Sequence, residues 1–206
     1  MTAVNLSRLP SPVVLTAGAA TLALALAGCG SGTESSSSST PTVGSSITES
    51  SGPAGECPQT PPASDEAPEW TLPGATGSVA VTGSTDTTAP LVTVDTPFSV
   101  TQTAVKTLTA GDGPVVSPDA TVSVCYMGVN GRDGNVFDSS YQRGEPVDFP
   151  LDGVVPGFQK AIAGQTVGST VAVAMVSADG YPDGQPRAGI EPGDSLIFAI
   201  KILDAS

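Results

Sequence analysis

The sequence contains no histidine among its 206 residues, and this absence excludes several kinds of site at once. Ser-His-Asp triads, Cys-His dyads and histidine-containing zinc sites all need an imidazole. Basic residues are also scarce, since 7 Lys and Arg stand against 20 Asp and Glu. A nucleic-acid-binding chain needs a basic surface, so the charge balance argues against nucleic acid as a partner.

Aromatic side chains make up only 4% of the chain, and their distribution is uneven. Seven of them lie between Tyr126 and Phe198, and only Trp70 precedes Phe98. Because aromatic residues dominate core burial, we expect one folded core, in the C-terminal half of the chain. Trp70 is expected to pack against the surface of this domain, with a ligand-binding role as the alternative.

An apolar, uncharged run covers residues 13–27, after a single basic residue at Arg8. This length is typical of a secretory signal core and is short for a membrane-spanning helix. The run ends in Leu26-Ala27-Gly28-Cys29, which resembles the processing box of bacterial lipoproteins. The resemblance implies a signal peptide over residues 1–28, lipid on Cys29 and a lipid-anchored protein on the extracytoplasmic face of the bacterial membrane. An uncleaved anchor, with Cys29 unmodified, is the alternative.

Residues 29–88 are rich in Ser, Thr, Gly and Pro, and residues 35–39 are five consecutive serines. Such a composition supplies few of the apolar side chains that fold a core, so we predict a flexible tether over this span. The folded domain is assigned to residues 89–206. Strand-like alternation nevertheless begins earlier, at residues 78–82.

The rest of the chain carries mostly β signals and one helical segment. Alternating apolar residues predict strands at residues 78–82, 91–94, 100–109, 121–129, 136–138, 147–149, 169–176 and 195–203. Pro156, with Phe158 and Ile162 four residues apart and Gly164 behind them, predicts a short helix. The sequence therefore predicts an α+β domain, in which an antiparallel curved sheet of five to six strands wraps around one short helix.

Several aromatic side chains should meet in the core of this domain. By alternation they are Tyr126, Phe137, Phe149, Phe158 and Phe198. The long loop over residues 178–193 contains Tyr181 and is expected to form the rim of a pocket rather than core. Core packing alone is the alternative for each aromatic taken singly, and for Phe149 it is the favoured one.

Six sequence blocks stand in the order and spacing of the FKBP-type peptidyl-prolyl isomerases, which residues 97–205 resemble. The blocks are Ala110-Gly111-Asp112-Gly113-Pro114, Val124-Cys125-Tyr126-Met127-Gly128, Gly134-Asn135-Val136-Phe137-Asp138-Ser139-Ser140, Val154-Val155-Pro156-Gly157-Phe158, Val167-Gly168, and Gly189-Ile190-Glu191-Pro192 with Leu196-Ile197-Phe198. The resemblance implies an FKBP-like fold and an enzyme that isomerises X-Pro bonds in exported proteins, without covalent or acid/base chemistry. It implies that the substrates are proline-containing polypeptides, and it suggests macrolide inhibitors as further ligands. We expect a monomer that needs no cofactor.

The matching positions imply the site residues. Catalytic roles in the pocket fall to Tyr126, Phe137, Asp138, Phe158, Tyr181 and Phe198, with Phe158 at the floor and Tyr181 at the rim. Substrate-binding roles fall to Arg143, Val147, Val154, Val155 and Ile190. Asp138 has an alternative role, which is to satisfy buried polar groups beside Tyr126.

Two positions depart from the family pattern. Val147 stands where many members have an aromatic wall residue, and Pro182 stands where glycine usually follows the tyrosine. Proline restricts the backbone of Tyr181 to extended conformations and could re-aim its hydroxyl. The departures favour the alternative function, a low-turnover chaperone or proline-segment binding module on the same fold. A structural spacer in the cell envelope is a third hypothesis.

The remaining cysteines, Cys57 and Cys125, form an even pair once Cys29 carries lipid. Alternation puts Cys125 on the sheet face opposite Tyr126, and an oxidising compartment permits a disulfide between the pair. A buried and an exposed free cysteine are the alternative. No metal site is predicted, because the Asp-Gly turns at residues 133–134 and 183–184 lack the ligand series of a calcium loop.

Overall fold

The structure is a computed structural model and describes residues 55–206, so the predicted signal peptide and Cys29 lie outside the described residues. The strands are β1 (Trp70–Pro73), β2 (Thr76–Thr82), β3 (Leu91–Ser99), β4 (Ala104–Thr109), β5 (Thr121–Asn130), β6 (Val136–Ser139), β7 (Val147–Pro150), β8 (Thr170–Met175) and β9 (Leu196–Ala205). The helices are α1 (Ser140–Arg143) and α2 (Pro156–Ile162), and 3₁₀ turns lie at Leu151–Gly153, Ser177–Asp179 and Pro186–Ala188. Within residues 55–206, none of the helices is both long and apolar enough to cross a membrane.

The main sheet has six antiparallel strands in the order β4-β8-β9-β5-β6, and β7 pairs with the other half of the same β5 edge. The predicted α+β class with an antiparallel sheet is confirmed. The strand predicted over residues 100–109 begins only at Ala104. Residues 100–103 instead connect β3 to β4, which belong to different sheets. The helical turn α1 was not predicted from the sequence.

The helix α2 lies where the sequence predicts it. Pro156 occupies its first turn, where the missing N–H of proline leaves no hydrogen bond unmade. Phe158 and Ile162 fall on its buried face together with Gly157 and Ala161. A Cβ on Gly157 would lie 2.7 Å from the Met175 sulfur, so glycine is what lets the helix approach β8 closely.

A second sheet, in the order β1-β2-β3, packs on the face of the main sheet away from α2. Val79, Val81 and Phe98 are at most 2% exposed and pack against alanines of β8 and β9 such as Ala172 and Ala199. The small alanine side chains allow the two sheets to approach each other. The prediction of a flexible tether is therefore wrong for residues 70–88, because a few buried valines fold this segment despite its polar composition.

A disulfide joins Cys57 to Cys125 in the middle of β5, with an Sγ–Sγ distance of 1.98 Å and a Cα–Cα distance of 5.6 Å. Both cysteines are buried. Trp70 lies half-buried in β1 and packs against the cluster between the sheets. The predicted domain boundary at residue 89 therefore does not match the structure, in which the folded unit includes the chain from Cys57 onward.

Candidate functional site

A pocket of about 400 Å³ opens beside α2, on the face of the main sheet that the second sheet does not cover. Strands β5, β6, β7 and β9, the helix α2 and two loops each contribute to its wall. The lining residues are Tyr126, Phe137, Asp138, Phe149, Gly153, Val154, Val155, Phe158, Tyr181 and Phe198. The aromatic side chains predicted to converge do lie together here.

The strand register explains why aromatics from distant parts of the chain meet. Gly128 of β5 stands between Asp138 of β6 and Phe198 of β9 in the ladder. A Cβ on Gly128 would lie 2.6 Å from Cζ of Phe137 and 2.8 Å from Cε1 of Phe198. The absence of a side chain at Gly128 is therefore what lets the two rings close over the strand.

Phe158 forms the floor of the pocket and is 5% exposed. Its ring centroid lies 5.3 Å from that of Phe198 and 5.9 Å from that of Tyr126, with interplanar angles of 85° and 87°. Phe137 packs edge-on against Phe198 in turn, at 5.5 Å. These edge-to-face contacts are favourable for aromatic pairs and fix the ring orientations. The result is a cup whose floor and sides are aromatic rings.

One wall of the pocket is polar. The Tyr126 hydroxyl donates a hydrogen bond to Asp138 Oδ2, and Arg143 Nη1 donates to Asp138 Oδ1 at 2.7 Å. Arg143 Nη2 also lies 3.4 Å from the Tyr126 hydroxyl. Burial raises the pKa of Tyr126, and the bond to Asp138 raises it further, to about 12. Burial alone would raise the pKa of Asp138, but the bonds from Tyr126 and Arg143 outweigh it and hold that pKa below its usual value.

These pKa shifts limit the chemistry that the pocket can perform. Near neutral pH Asp138 is ionised and paired, while Tyr126 keeps its proton. Neither is suited to general acid or base catalysis, which works best with a pKa near the operating pH. The arrangement is suited to holding an apolar group in the cup and presenting a few fixed polar atoms to it.

The rim residue Tyr181 lies in a loop that buried polar contacts hold in place. Asp194, which is 8% exposed, accepts hydrogen bonds from Asn130 Nδ2 at 2.7 Å and from the Glu191 backbone N–H at 2.8 Å. Arg132 Nε donates to the same carboxylate at 3.2 Å. The loop is thereby tied to the end of β5. Tyr181 lines the pocket even though Pro182 follows it.

The predicted residues divide into those that line the pocket and those that do not. All six residues with predicted catalytic roles line it, together with Val154 and Val155. Arg143 stands behind the wall, where it reaches Asp138 and Tyr126. Val147 packs partly buried against the main core, and Ile190 is 2% exposed within that core, so neither is a lining residue. Their predicted substrate contact therefore has no counterpart in the pocket wall.

Two lining residues carry no predicted site role. The sequence favours core packing for Phe149, yet its ring lies 5.8 Å from that of Phe158 and lines the pocket. Alternation along β7 predicts that Phe149 faces the core side of the sheet. Because the pocket wall lies on the same side, alternation does not distinguish core from pocket wall there. Gly153 ends the 3₁₀ turn that leads to Val154 and carried no signal at all.

Comparisons with known proteins identify relatives of the chain. The family model described as FKBP-type peptidyl-prolyl cis-trans isomerase matches residues 113–203. An FK506-binding protein from Streptomyces anulatus is 36% identical over 103 residues, which cover 48% of this chain and 83% of that protein. The FKBP-type 22 kDa peptidyl-prolyl cis-trans isomerase of Escherichia coli K12 is 34% identical over 99 residues, which cover 48% of each chain.

Similarity extends to solved structures. The crystal structure of FkpA from Escherichia coli has 34% sequence identity with this chain and a TM-score of 0.47, and the match covers 50% of this chain and 48% of that one. This chain thus spans about half the length of the two Escherichia coli relatives and most of the Streptomyces protein.

Proposed function

Because this chain belongs to the family of FKBP-type peptidyl-prolyl cis-trans isomerases, we propose that its aromatic pocket catalyses the rotation of X-Pro bonds in polypeptides. The observation that carries the proposal is the cup around Phe158, which is walled by aromatic rings and whose polar pair consists of an ionised Asp138 and a protonated Tyr126 near neutral pH. Substrates are proline-containing segments of exported proteins.

The proposed mechanism rests on the electronic structure of the amide. Rotation about the X-Pro bond has a barrier of about 18–20 kcal/mol, because the planar amide is stabilised by resonance. The planar form is also the more polar one, so moving its carbonyl from water into an apolar cup disfavours it relative to the twisted form. A rate gain of about 10³–10⁵ requires only about 4–7 kcal/mol, and no proton needs to move.

The residues of the pocket have distinct roles in this scheme. The proline ring lies over Phe158, with Phe137 and Phe198 against its sides. Tyr181 at the rim directs its hydroxyl toward a substrate carbonyl. Asp138 keeps the Tyr126 hydroxyl engaged, so that the polar wall stays fixed while the bond rotates.

A protease-coupled assay on an X-Pro tetrapeptide, with the full chain in detergent, tests the proposal. We expect acceleration by the wild type and a loss of about tenfold or more in kcat/KM for Phe158→Ala, since the floor that positions the ring is gone. Val115→Thr is the control, because Val115 is 68% exposed and does not line the pocket. A folded wild type that gives no acceleration, or acceleration that survives Phe158→Ala, contradicts the proposal.

A low-turnover chaperone or proline-segment binding module is the second candidate function. It is favoured by Val147, which does not line the pocket, although the family resemblance implies an aromatic wall residue at this position. The two functions differ in one experiment. A binding module slows aggregation of an unfolded proline-containing protein in a Phe158-dependent manner but gives little acceleration of peptide isomerisation.

We also propose that the mature protein begins at Cys29, carries lipid there and stands on the extracytoplasmic face of the membrane. The apolar run before Cys29 supports this, and so does the Cys57–Cys125 disulfide, since disulfides persist in oxidising compartments. Intact mass of the membrane-extracted protein tests it, with Cys29→Ala as the control. A chain that keeps residues 1–28, or that begins at Cys29 without added lipid mass, contradicts it.

We further propose that the protein acts as a monomer. Sedimentation of the wild type tests this, and a dimer at micromolar concentration contradicts it.

We also propose that macrolide inhibitors of the family compete with peptide for the cup around Phe158. Inhibition kinetics test this, and undiminished activity in a large excess of macrolide contradicts it.

A further inference from the structure

The helical turn α1 lies between β6, which lines the pocket, and β7, and it is too short to be stable on its own. It has four residues, and an isolated helix of one turn is unstable in water. Its N-cap residue Ser139 makes no side-chain capping bond, and Gly144 closes it in the left-handed conformation with φ 78°. Contacts from elsewhere in the chain must therefore hold it in place.

Those contacts come from the segment that precedes the family's own blocks. The backbone N–H of Cys57 donates to the carbonyl of Gly144 at 3.2 Å, and Gln59 Nε2 donates to the carbonyl of Gln142 at 3.2 Å. Carbonyls at the end of a helix lack partners within the helix, so residues 57–59 act as its external cap.

The first residue of α1, Ser140, is held by β5 and contacts the disulfide. Ser140 is fully buried, and its hydroxyl accepts a hydrogen bond from the backbone N–H of Tyr126 at 2.8 Å. Neither β6 nor β7 pairs with Tyr126 or Cys125 on this edge of β5, so the Ser140 hydroxyl takes the place of a strand partner. The disulfide sulfur of Cys57 lies 3.4 Å from the same hydroxyl.

The last residue of α1, Arg143, contacts the polar wall of the pocket from behind. Arg143 Nη1 lies 2.7 Å from Asp138 Oδ1, and Asp138 Oδ2 accepts a hydrogen bond from the Tyr126 hydroxyl. Arg143 and Asp138 are both partly exposed, so this ion pair alone gives little fixed geometry. Its geometry depends on where α1 is held.

We propose that Cys57, Gln59 and Ser140 are positioning residues, through which the N-terminal segment and its disulfide hold α1 so that Arg143 fixes the Asp138–Tyr126 wall of the pocket. None of the three touches the pocket. The inference rests on the proposed isomerase function for its kinetic test. Residues 57–59, which lie within the predicted tether, thereby support the geometry of the site.

A double-mutant cycle separates positioning from stabilisation. Arg143→Leu is measured in the wild type and in the disulfide-free variant Cys57→Ala/Cys125→Ala, by kcat/KM on an X-Pro peptide well below either melting temperature. We expect the Arg143→Leu loss to shrink by about threefold or more in the disulfide-free chain, since contacting groups couple. Equal losses in both backgrounds overturn the inference. A wild type without activity instead refutes the proposed function.

One further measurement, made on two variants, keeps the inference testable without the enzyme assay or the disulfide-free chain. Carboxyl NMR titration should show the pKa of Asp138 rising toward its usual value in Gln59→Ala and in Ser140→Ala, even if the chain has no activity. Both variants retain the disulfide. Val81→Ala is the matched control, because it weakens the packing between the sheets without touching α1 and should leave that pKa unchanged. An Asp138 pKa that stays at the wild-type value in both test variants overturns the inference.

Discussion

Replacing Gly128 by alanine should damage the pocket without removing any group that contacts substrate. The added Cβ would lie 2.6 Å from Phe137 and 2.8 Å from Phe198, and real Cβ atoms do not approach heavy atoms so closely. Both obstructing atoms are ring atoms in a packed aromatic cluster, so the two walls must move apart. Overpacking of this kind costs about 1–3 kcal/mol.

The expected results follow from that displacement. The melting temperature should fall by about 2–12 °C, at about 2–4 °C per kcal/mol for a domain of this size. Displacing the walls by a fraction of an ångström to an ångström should reduce kcat/KM by about tenfold or more. Differential scanning calorimetry and the protease-coupled assay measure the two effects on the same sample.

A second substitution tests the cause. Phe137→Leu removes the ring that the new Cβ meets first, so it should relieve part of the collision in Gly128→Ala. The double variant should then lose less activity and less stability than the product and sum of the single effects. Wild-type activity and stability in Gly128→Ala would refute the packing argument, and strictly additive effects would refute its assignment to Phe137.

Three other predictions concern stability and pH. Cys57→Ala/Cys125→Ala opens a loop with a sequence separation of 68 and should reduce the free energy of unfolding by about 4 kcal/mol on the loop-entropy view, measured by urea denaturation; an unchanged midpoint contradicts it. Val81→Ala, at a position with 0% exposure between the sheets, should cost about 2 kcal/mol while kcat/KM stays at the wild-type value; a loss of activity well below the melting temperature contradicts it. The pH profile of kcat/KM should be flat from about pH 5 to 9, because the pKa of Asp138 is lowered and that of Tyr126 is raised to about 12; an inflection near neutrality contradicts this. The stability that Asp138 contributes is present above its unfolded-state pKa and is lost as the pH falls through its folded-state pKa.

The sequence was most informative where local pattern and burial agree. Alternation in β9 puts Phe198 on the helix side of the sheet, and the four-residue spacing in α2 puts Phe158 opposite it. The period of two residues in a strand and the four-residue spacing in a helix are set by local backbone geometry, so the sequence alone predicts which side chains share a face. The same logic could not tell whether Phe149 is core or pocket wall, because both lie on the same face of the sheet.

The second sheet was beyond such reasoning for a different physical reason. Its valines at 79 and 81 pack on Ala172 and Ala199, which lie about a hundred residues away in the chain. A segment that is polar on average can still fold when a few apolar residues find a partner surface, and composition does not report the partner. The contacts of α1 with Cys57 are likewise a product of tertiary packing.

Direct exchange NMR on an X-Pro peptide, with the full chain in detergent in H₂O and in D₂O, tests the central claim that the pocket lowers the rotational barrier by replacing solvent around the bond. The account predicts strongly accelerated cis–trans exchange with a solvent isotope effect near unity, since no proton is transferred. Exchange at the uncatalysed rate, or a rate several times slower in D₂O, would contradict it.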